Sequence, residues 1–365
     1  MTRVIRFFFL IGIIFIGTGF NTTVSAESEE GAEEIFDVTT KLGDSNYLDF
    51  EPIGKIQLPR ILISEGSVYF FGSTYSAIAS DLFTDAYYIE NPDAAESGPV
   101  TYRLARTDGG GITLDLSITK HFVWFLLSGF LVLFIFGRLA NKYKSGIGRT
   151  SAPKGAGMNF AEVLIVYLRD EVAKPNLGEK HYLKFSPYLL TCFFMILFMN
   201  LFGLLPWGIT PTADVAVTGA LAITTFFMVN LNGNKDYWKH IFAMPGVTPL
   251  MLIIMIPVEI LGLFTKPFAL AIRLFANMLS GKMIIFSMIG MIFIFATKFG
   301  TGVGLGTSPL WLVFTIFIYA LKVFAAFLQA YIFTMFSALF IGMAVEEHHH
   351  HEDEEFVAET KPLTT

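Results

Sequence analysis

The residues best suited to chemistry lie where the chain is most apolar. From Met251 to Ala296 the sequence is dominated by Ile, Leu, Phe and Met, yet it carries Glu259, Lys266, Arg273, Asn277, Ser280 and Lys282. An arginine near the middle of a membrane segment costs roughly 2.5 kcal/mol or more on insertion scales, and its guanidinium does not shed its proton to escape that cost. Arg273 therefore needs an anionic partner or a wet cavity. Steps of seven residues drift by only about 20° on an α-helix, which sets Glu259, Lys266, Arg273 and Ser280 along one stripe, with Asn277 one turn beyond Arg273. Two bland readings stand beside the functional one: Arg273 snorkels to a headgroup, or it pairs with Glu259.

The elements that must position these groups are membrane helices. With 365 residues, 53% of them hydrophobic, and 39 Phe, the composition is that of a polytopic membrane protein carrying some polar material, which excludes an ordinary soluble enzyme. The net charge of -6 gathers in the acidic stretches Glu27 to Glu34 and Glu346 to Glu355, while the segments beside apolar runs are basic, a balance that argues against nucleic acid as a partner. The single cysteine, Cys192, excludes an internal disulfide and reads as a small core residue.

Residues 1–26 read as a signal peptide: Arg3 and Arg6, an apolar stretch from Phe7 to Gly17, and Val24-Ser25-Ala26 before Glu27. An uncleaved anchor helix is the alternative. Residues 27–118 turn polar and glycine-bearing, with β-like runs at Lys55 to Leu58, Ser67 to Phe71, Val100 to Ala105 and Ile112 to Ser117, so a small, mostly β exported domain is expected there. It offers no ligand cluster, nucleophile constellation or phosphate loop.

Residues 119–346 form the expected membrane domain. His121 to Leu139 is the first span. Basic residues after it (Arg138, Lys142, Lys144, Arg149, Lys154) place its C-terminal end in the cytoplasm. Phe160 to Val172 reads as an amphipathic helix on the cytoplasmic surface rather than a span. Tyr188 to Leu205 and Val215 to Val229 form a helical hairpin around the breaker-rich Pro206 to Pro211, and Asp214 is placed to cap the second helix. Two longer apolar segments, about Leu250 to Ala296 and Leu310 to Val345, are split by Gly300 to Gly306. They exceed the hydrocarbon thickness, so they must tilt strongly, bend or break, with Pro257 and Pro267 as places for a bend. The last carries Lys322 and Gln329 seven residues apart on one face. The fold class is thus an all-α polytopic membrane protein with five membrane helices, the last two long and strongly tilted, one amphipathic surface helix, and a small β domain in front. Residues 347–365 form an acidic cytoplasmic tail in which His348 to His351 read as a solvated run rather than a metal site.

A voltage sensor requires arginines repeated at every third position, a secondary transporter usually shows a second half mirroring the first, and a metal site requires spaced ligands; none of these patterns is present. The stretch Arg273-Leu-Phe-Ala-Asn-Met-Leu-Ser-Gly281, with Phe327-Leu-Gln-Ala-Tyr-Ile-Phe333, resembles subunit a of the F-type ATP synthase membrane sector, in the form found in Bacteroidetes-type bacteria. Ala152-Pro-Lys-Gly155, Arg169-Asp-Glu171, Pro211-Thr-Ala-Asp-Val215, Asn232-Gly-Asn-Lys-Asp-Tyr-Trp238 and Lys266-Pro267 support the resemblance, which covers about residues 119–348.

The resemblance implies a non-catalytic stator subunit of the inner membrane, with two offset aqueous half-channels facing a rotating ring of c subunits, and with b subunits and membrane lipid as further partners. It implies no cofactor and no bound metal. Arg273 takes the role of the essential stator cation between the two proton paths. Asn277, Gln329, Glu259, Asp214 and Ser280 are carried over to the neighbourhood of those paths. Two positions depart from the family, which often has a titratable His or Glu one residue after the glycine and again seven residues before the glutamine. Here they are Lys282 and Lys322. Glu259 with water is then expected to carry the inlet path while the lysines tune it. A stand-alone channel or transporter, and a membrane-anchored binding protein displaying the β domain, remain the alternatives from other classes.

Overall fold

The structure, a computed structural model, describes residues 45–50, 54–85, 104–144, 156–205, 209–242 and 248–346. The expected signal peptide, the acidic tail with His348 to His351, the Ala152 to Gly155 motif and the Pro206 turn residue lie outside the described residues.

The N-terminal part is β-rich, as its composition requires. β1 (Tyr47–Phe50) pairs with β2 (Gly54–Gln57), β3 (Arg60–Ser64) is the centre of an antiparallel sheet between β4 (Ser67–Phe71) and β7 (Ile112–Asp115), and β5 (Phe83–Asp85) pairs with β6 (Leu104–Arg106). A short helix α1 (Thr74–Ile78) follows β4, opened by a capping box between Ser73 and Ser76. Four strand regions were legible in the sequence; β1, β3 and β5 were not. β3 was hidden by its own chemistry. Its buried side chains are Arg60, Leu62 and Ser64, so two of the three inward positions are polar and the apolar alternation disappears. Arg60 is kept inside by hydrogen-bonding to Thr74 Oγ1 at 3.1 Å and pairing with Asp115 at 3.3 Å.

The membrane part begins where Lys120 N–H bonds to the carbonyl of Ser45, tying the β domain to the start of α2 (Lys120–Lys144). α3 (Ala156–Tyr167) runs through a π-helical turn, Leu168–Ala173, into α4 (Lys174–Phe202). Leu164, Leu168 and Val172 join the main core while Phe160, Val163 and Tyr167 on the other face are exposed, and the helical run bends inside α4 at Gly178, whose φ of 67° only glycine adopts without strain. α4 is buried nearly all round between Phe185 and Met199 and forms the centre of the bundle, against α5 (Val215–Leu231) and the long helices.

α6 (Lys235–Phe242) is a short polar helix, bent by 102° from α5. α7 (Pro249–Phe299) and α8 (Thr301–Val345) pack antiparallel as a hairpin. At about 1.5 Å per residue they span roughly 77 and 68 Å, well beyond the hydrocarbon core. Pro257 and Pro267 lie inside α7 without interrupting it, and the break is confined to Gly300, with φ 92°, so α8 starts at Thr301 and takes in the expected glycine-rich spacer. Among the described residues, four helices are long and apolar enough to cross a membrane, or five when the bent pair α5 and α6 counts as one span. The 17-residue α5 alone reaches only about 25 Å, which is why the expected count of five rests on that pair.

Candidate functional site

α7 organises the polar groups. Leu270 and Leu274 point into the core while Arg273, between them, is exposed on the adjoining face. Its guanidinium stacks over the Phe336 ring of α8 at 5.1 Å. Among the described residues it makes no ion pair, so the expected alternative of a bridge to Glu259 is not formed. Lys266, one stripe position earlier, is likewise over an aromatic ring, Phe340, at 5.8 Å, and does not pair with Glu259 either.

On the side toward the β domain, α7 and α8 are stitched by polar contacts. Asn277 Nδ2 donates to Gln329 Oε1 at 2.7 Å, Lys322 Nζ donates to the carbonyl of Asn277, and Ser280 Oγ reaches the same carbonyl at 3.4 Å. Gln329 is only 2% exposed, and its Nε2 has no hydrogen-bond partner among the described residues. Lys322 crosses directly over Gly281: a Cβ there would collide with the end of the lysine chain. Lys282, half-buried, lies within electrostatic reach of Lys120 and Lys322. The two departures from the family pattern thus meet in one cationic cluster.

Asp214 caps α5 as its position suggests, accepting from Ala216 N at 2.7 Å. Its other oxygen lies 3.1 Å from His121 Nδ1, at the start of α2. Sequence reasoning used His121 only as a helix boundary; 93 residues separate it from its partner, and no local signal joins them. Behind this pair, Thr212 Oγ1 donates to Asn200 Oδ1 at 2.6 Å and Asn200 Nδ2 reaches the Ala326 carbonyl at 3.4 Å, a buried polar link from the α4–α5 turn to α8.

At the opposite end of the bundle, Glu259 lines a cavity of about 310 Å³ with Asn230, Asp236, Lys239, His240 and Lys266. A second cavity of about 310 Å³ shares Lys266 and Phe340 with the first and ends on Arg273. Glu259 stands about 35 Å from Lys282 along α7, and Arg273 stands between them. The stripe is therefore divided: Asn277, Ser280, Lys282, Lys322, Gln329 and Asp214 on the β-domain side, and Glu259 with Lys266 on the other.

Fold and site together define a polytopic membrane protein with a cation on an apolar helix, without an ion pair among the described residues, between two polar regions. The chain belongs to the ATP synthase A chain family, whose model matches residues 122–342. It is 44% identical to ATP synthase subunit a of Chloroherpeton thalassium over 252 residues, covering 67% of this chain and 72% of the relative. It is 41% identical to that of Chlorobium phaeobacteroides (strain BS1) over 305 residues, with 82% and 73% covered, and 45% identical to that of Myxococcus xanthus over 240 residues, with 64% and 74% covered.

Proposed function

We propose that the chain is the proton-translocating stator subunit of an F-type ATP synthase, with Arg273 as the fixed cation that divides two half-channels. The observation that carries this is the position of Arg273: exposed on the apolar α7–α8 hairpin, stacked on Phe336 and without a carboxylate partner among the described residues. Such a cation suits an external carboxylate passing along this face, as a ring of c subunits supplies. A permanent charge favours the ionised form of that carboxylate as it passes. Because the guanidinium does not give up its proton, it also blocks a direct leak from one path to the other.

One half-channel is read along Asp214, Lys282, Lys322, Ser280, Asn277 and Gln329. The other is read along Glu259 and the two adjoining cavities that end at Arg273. This moves Glu259 from the path tuned by the lysines to the opposite one. ATP chemistry belongs to other subunits, and b subunits and lipid complete the surroundings. The signal peptide at 1–26, the basic residues after α2 and the β-rich region at 27–118 support a periplasmic N-terminal domain and a cytoplasmic tail at 347–365, in the cell inner membrane.

The test is Arg273→Ala in the reconstituted complex. ATP-driven acidification of vesicles is expected to disappear while the subunit still co-purifies with the c ring. Unchanged pumping would overturn the reading.

A further inference from the structure

We propose that the outward face of α6 docks on the membrane surface and binds anionic phospholipid headgroups there, with Trp238 and Phe242 as the apolar wedge and Lys235 and Lys239 as the cations. α6 stands where three long apolar helices end. It follows the C-terminus of α5 after a bend of 102° and precedes the start of α7 at Pro249. Asn234, just before it, is tied to the end of α8: its N–H donates to the Ala344 carbonyl at 2.8 Å and its Nδ2 to the Val345 carbonyl at 2.6 Å. A helix turned nearly at right angles to a span, at the level where spans end, lies along the membrane boundary rather than across it.

The faces of α6 are divided by residue type. At 3.6 residues per turn, Trp238, Phe242, Lys235 and Lys239 fall within an arc of about 100°. All four are exposed, Trp238 at 36% and Phe242 at 51%, and the two rings stack at 6.0 Å. The other side is occupied: Ile241 is 3% exposed, and Asp236, Tyr237 and His240 line the Glu259 cavity, which Lys239 reaches from the edge of the arc. Neither lysine has an ion pair among the described residues. Exposed apolar side chains lead up to α6 from both directions along the chain, Leu231 at the end of α5 and Leu250 at the start of α7. Aromatic rings flanked by ammonium groups match a bilayer edge, where the rings enter the acyl boundary and the lysine stems carry their charges up to the phosphates. The docking requires only the membrane character of the chain, not the role given to Arg273.

The full chain carrying Trp124→Phe, Trp207→Phe and Trp311→Phe, which leaves Trp238 as its single tryptophan, is reconstituted into phosphatidylcholine vesicles. Brominated phosphatidylglycerol or brominated phosphatidylcholine is then included at rising mole fraction and the quenching of Trp238 is measured. The anionic lipid is expected to quench at a mole fraction roughly fivefold lower or more. That preference should vanish at about 1 M salt and in the Lys235→Gln, Lys239→Gln double variant. Equal quenching by the two lipids would mean that the rings enter the bilayer without headgroup recognition, and would overturn the proposal. Quenching by acrylamide but by neither lipid would place this face in water, and quenching by none of the three would place it under protein; either result overturns it as well. Should the triple Trp→Phe background fail to fold, the wild-type chain and the lysine double variant are compared by the phosphatidylglycerol each retains through detergent purification, and equal retention overturns the proposal. Pumping by Arg273→Ala, lost or kept, alters none of these readouts, so the two proposals fall separately.

Discussion

At the scale of single residues, Gly281 and Gly342 look alike in sequence and differ in consequence. A Cβ at Gly281 would meet the far end of Lys322, a flexible chain able to swing aside, whereas one at Gly342 would meet the backbone carbonyl of Asn176, which is fixed by its helix. Gly281→Ala is therefore expected to leave thermal stability nearly unchanged but to break the Lys322 bond to the Asn277 carbonyl. Proton flux should drop, and Lys322→Ala in the same background should make no further difference. Gly342→Ala is expected to destabilise the subunit by about 1–3 kcal/mol through overpacking, read as a lower midpoint of thermal unfolding in detergent. Equal stability losses in the two variants would contradict this contrast.

Among the elements, the α5–α6 connection holds the end of α8. Asn234 N–H donates to the Ala344 carbonyl at 2.8 Å and Asn234 Nδ2 to the Val345 carbonyl at 2.6 Å, satisfying two of the carbonyls that a helix end leaves open. Asn234→Ala removes the second bond and is expected to cost about 1 kcal/mol. Faster hydrogen exchange over the last turn of α8 would report it, and exchange unchanged there would refute it. The same end carries the Glu259 cavity, so loosening it should also disturb the half-channel proposed there. In the β-rich region, Arg60 does the comparable work for β3. Replacing it by Ala strands Asp115 and Thr74, with an expected loss of about 2 kcal/mol, measurable as faster proteolysis of the domain in the intact protein.

For the whole molecule, two parts with different solvents are joined at one helix start, and they respond differently to pH. In the water-exposed β region, the Arg106 guanidinium hydrogen-bonded to Asp108 holds that carboxyl down at about 2. The folded value lies below the unfolded one of about 3.9, so the pair's contribution is present above about pH 4 and is lost as pH falls toward 2. Because the group is fully exposed, the effect is small. Protease resistance of the domain should fall more between pH 5 and pH 2 in the wild type than in Asp108→Asn; identical acid sensitivity would exclude the pair as a contributor.

Apolar content determined the membrane character, the long final helices and the polar stripe of Arg273, because burying charge in lipid is costly enough that such residues stand out without any neighbour being known. The cap at Asp214 was legible for the same local reason. Where polar groups pair across distance, local pattern carries no information. β3 escaped notice because Arg60 and Ser64 replace apolar residues at inward positions, and the Gly300 break was overextended because helix packing lets Gly302, Gly304 and Gly306 stay helical. Only the tertiary structure could bring His121 to Asp214 and lay Lys322 over Gly281. Each of these depends on how helices dock, and docking is decided by the packed core around α4 rather than by the spacing of the residues that meet.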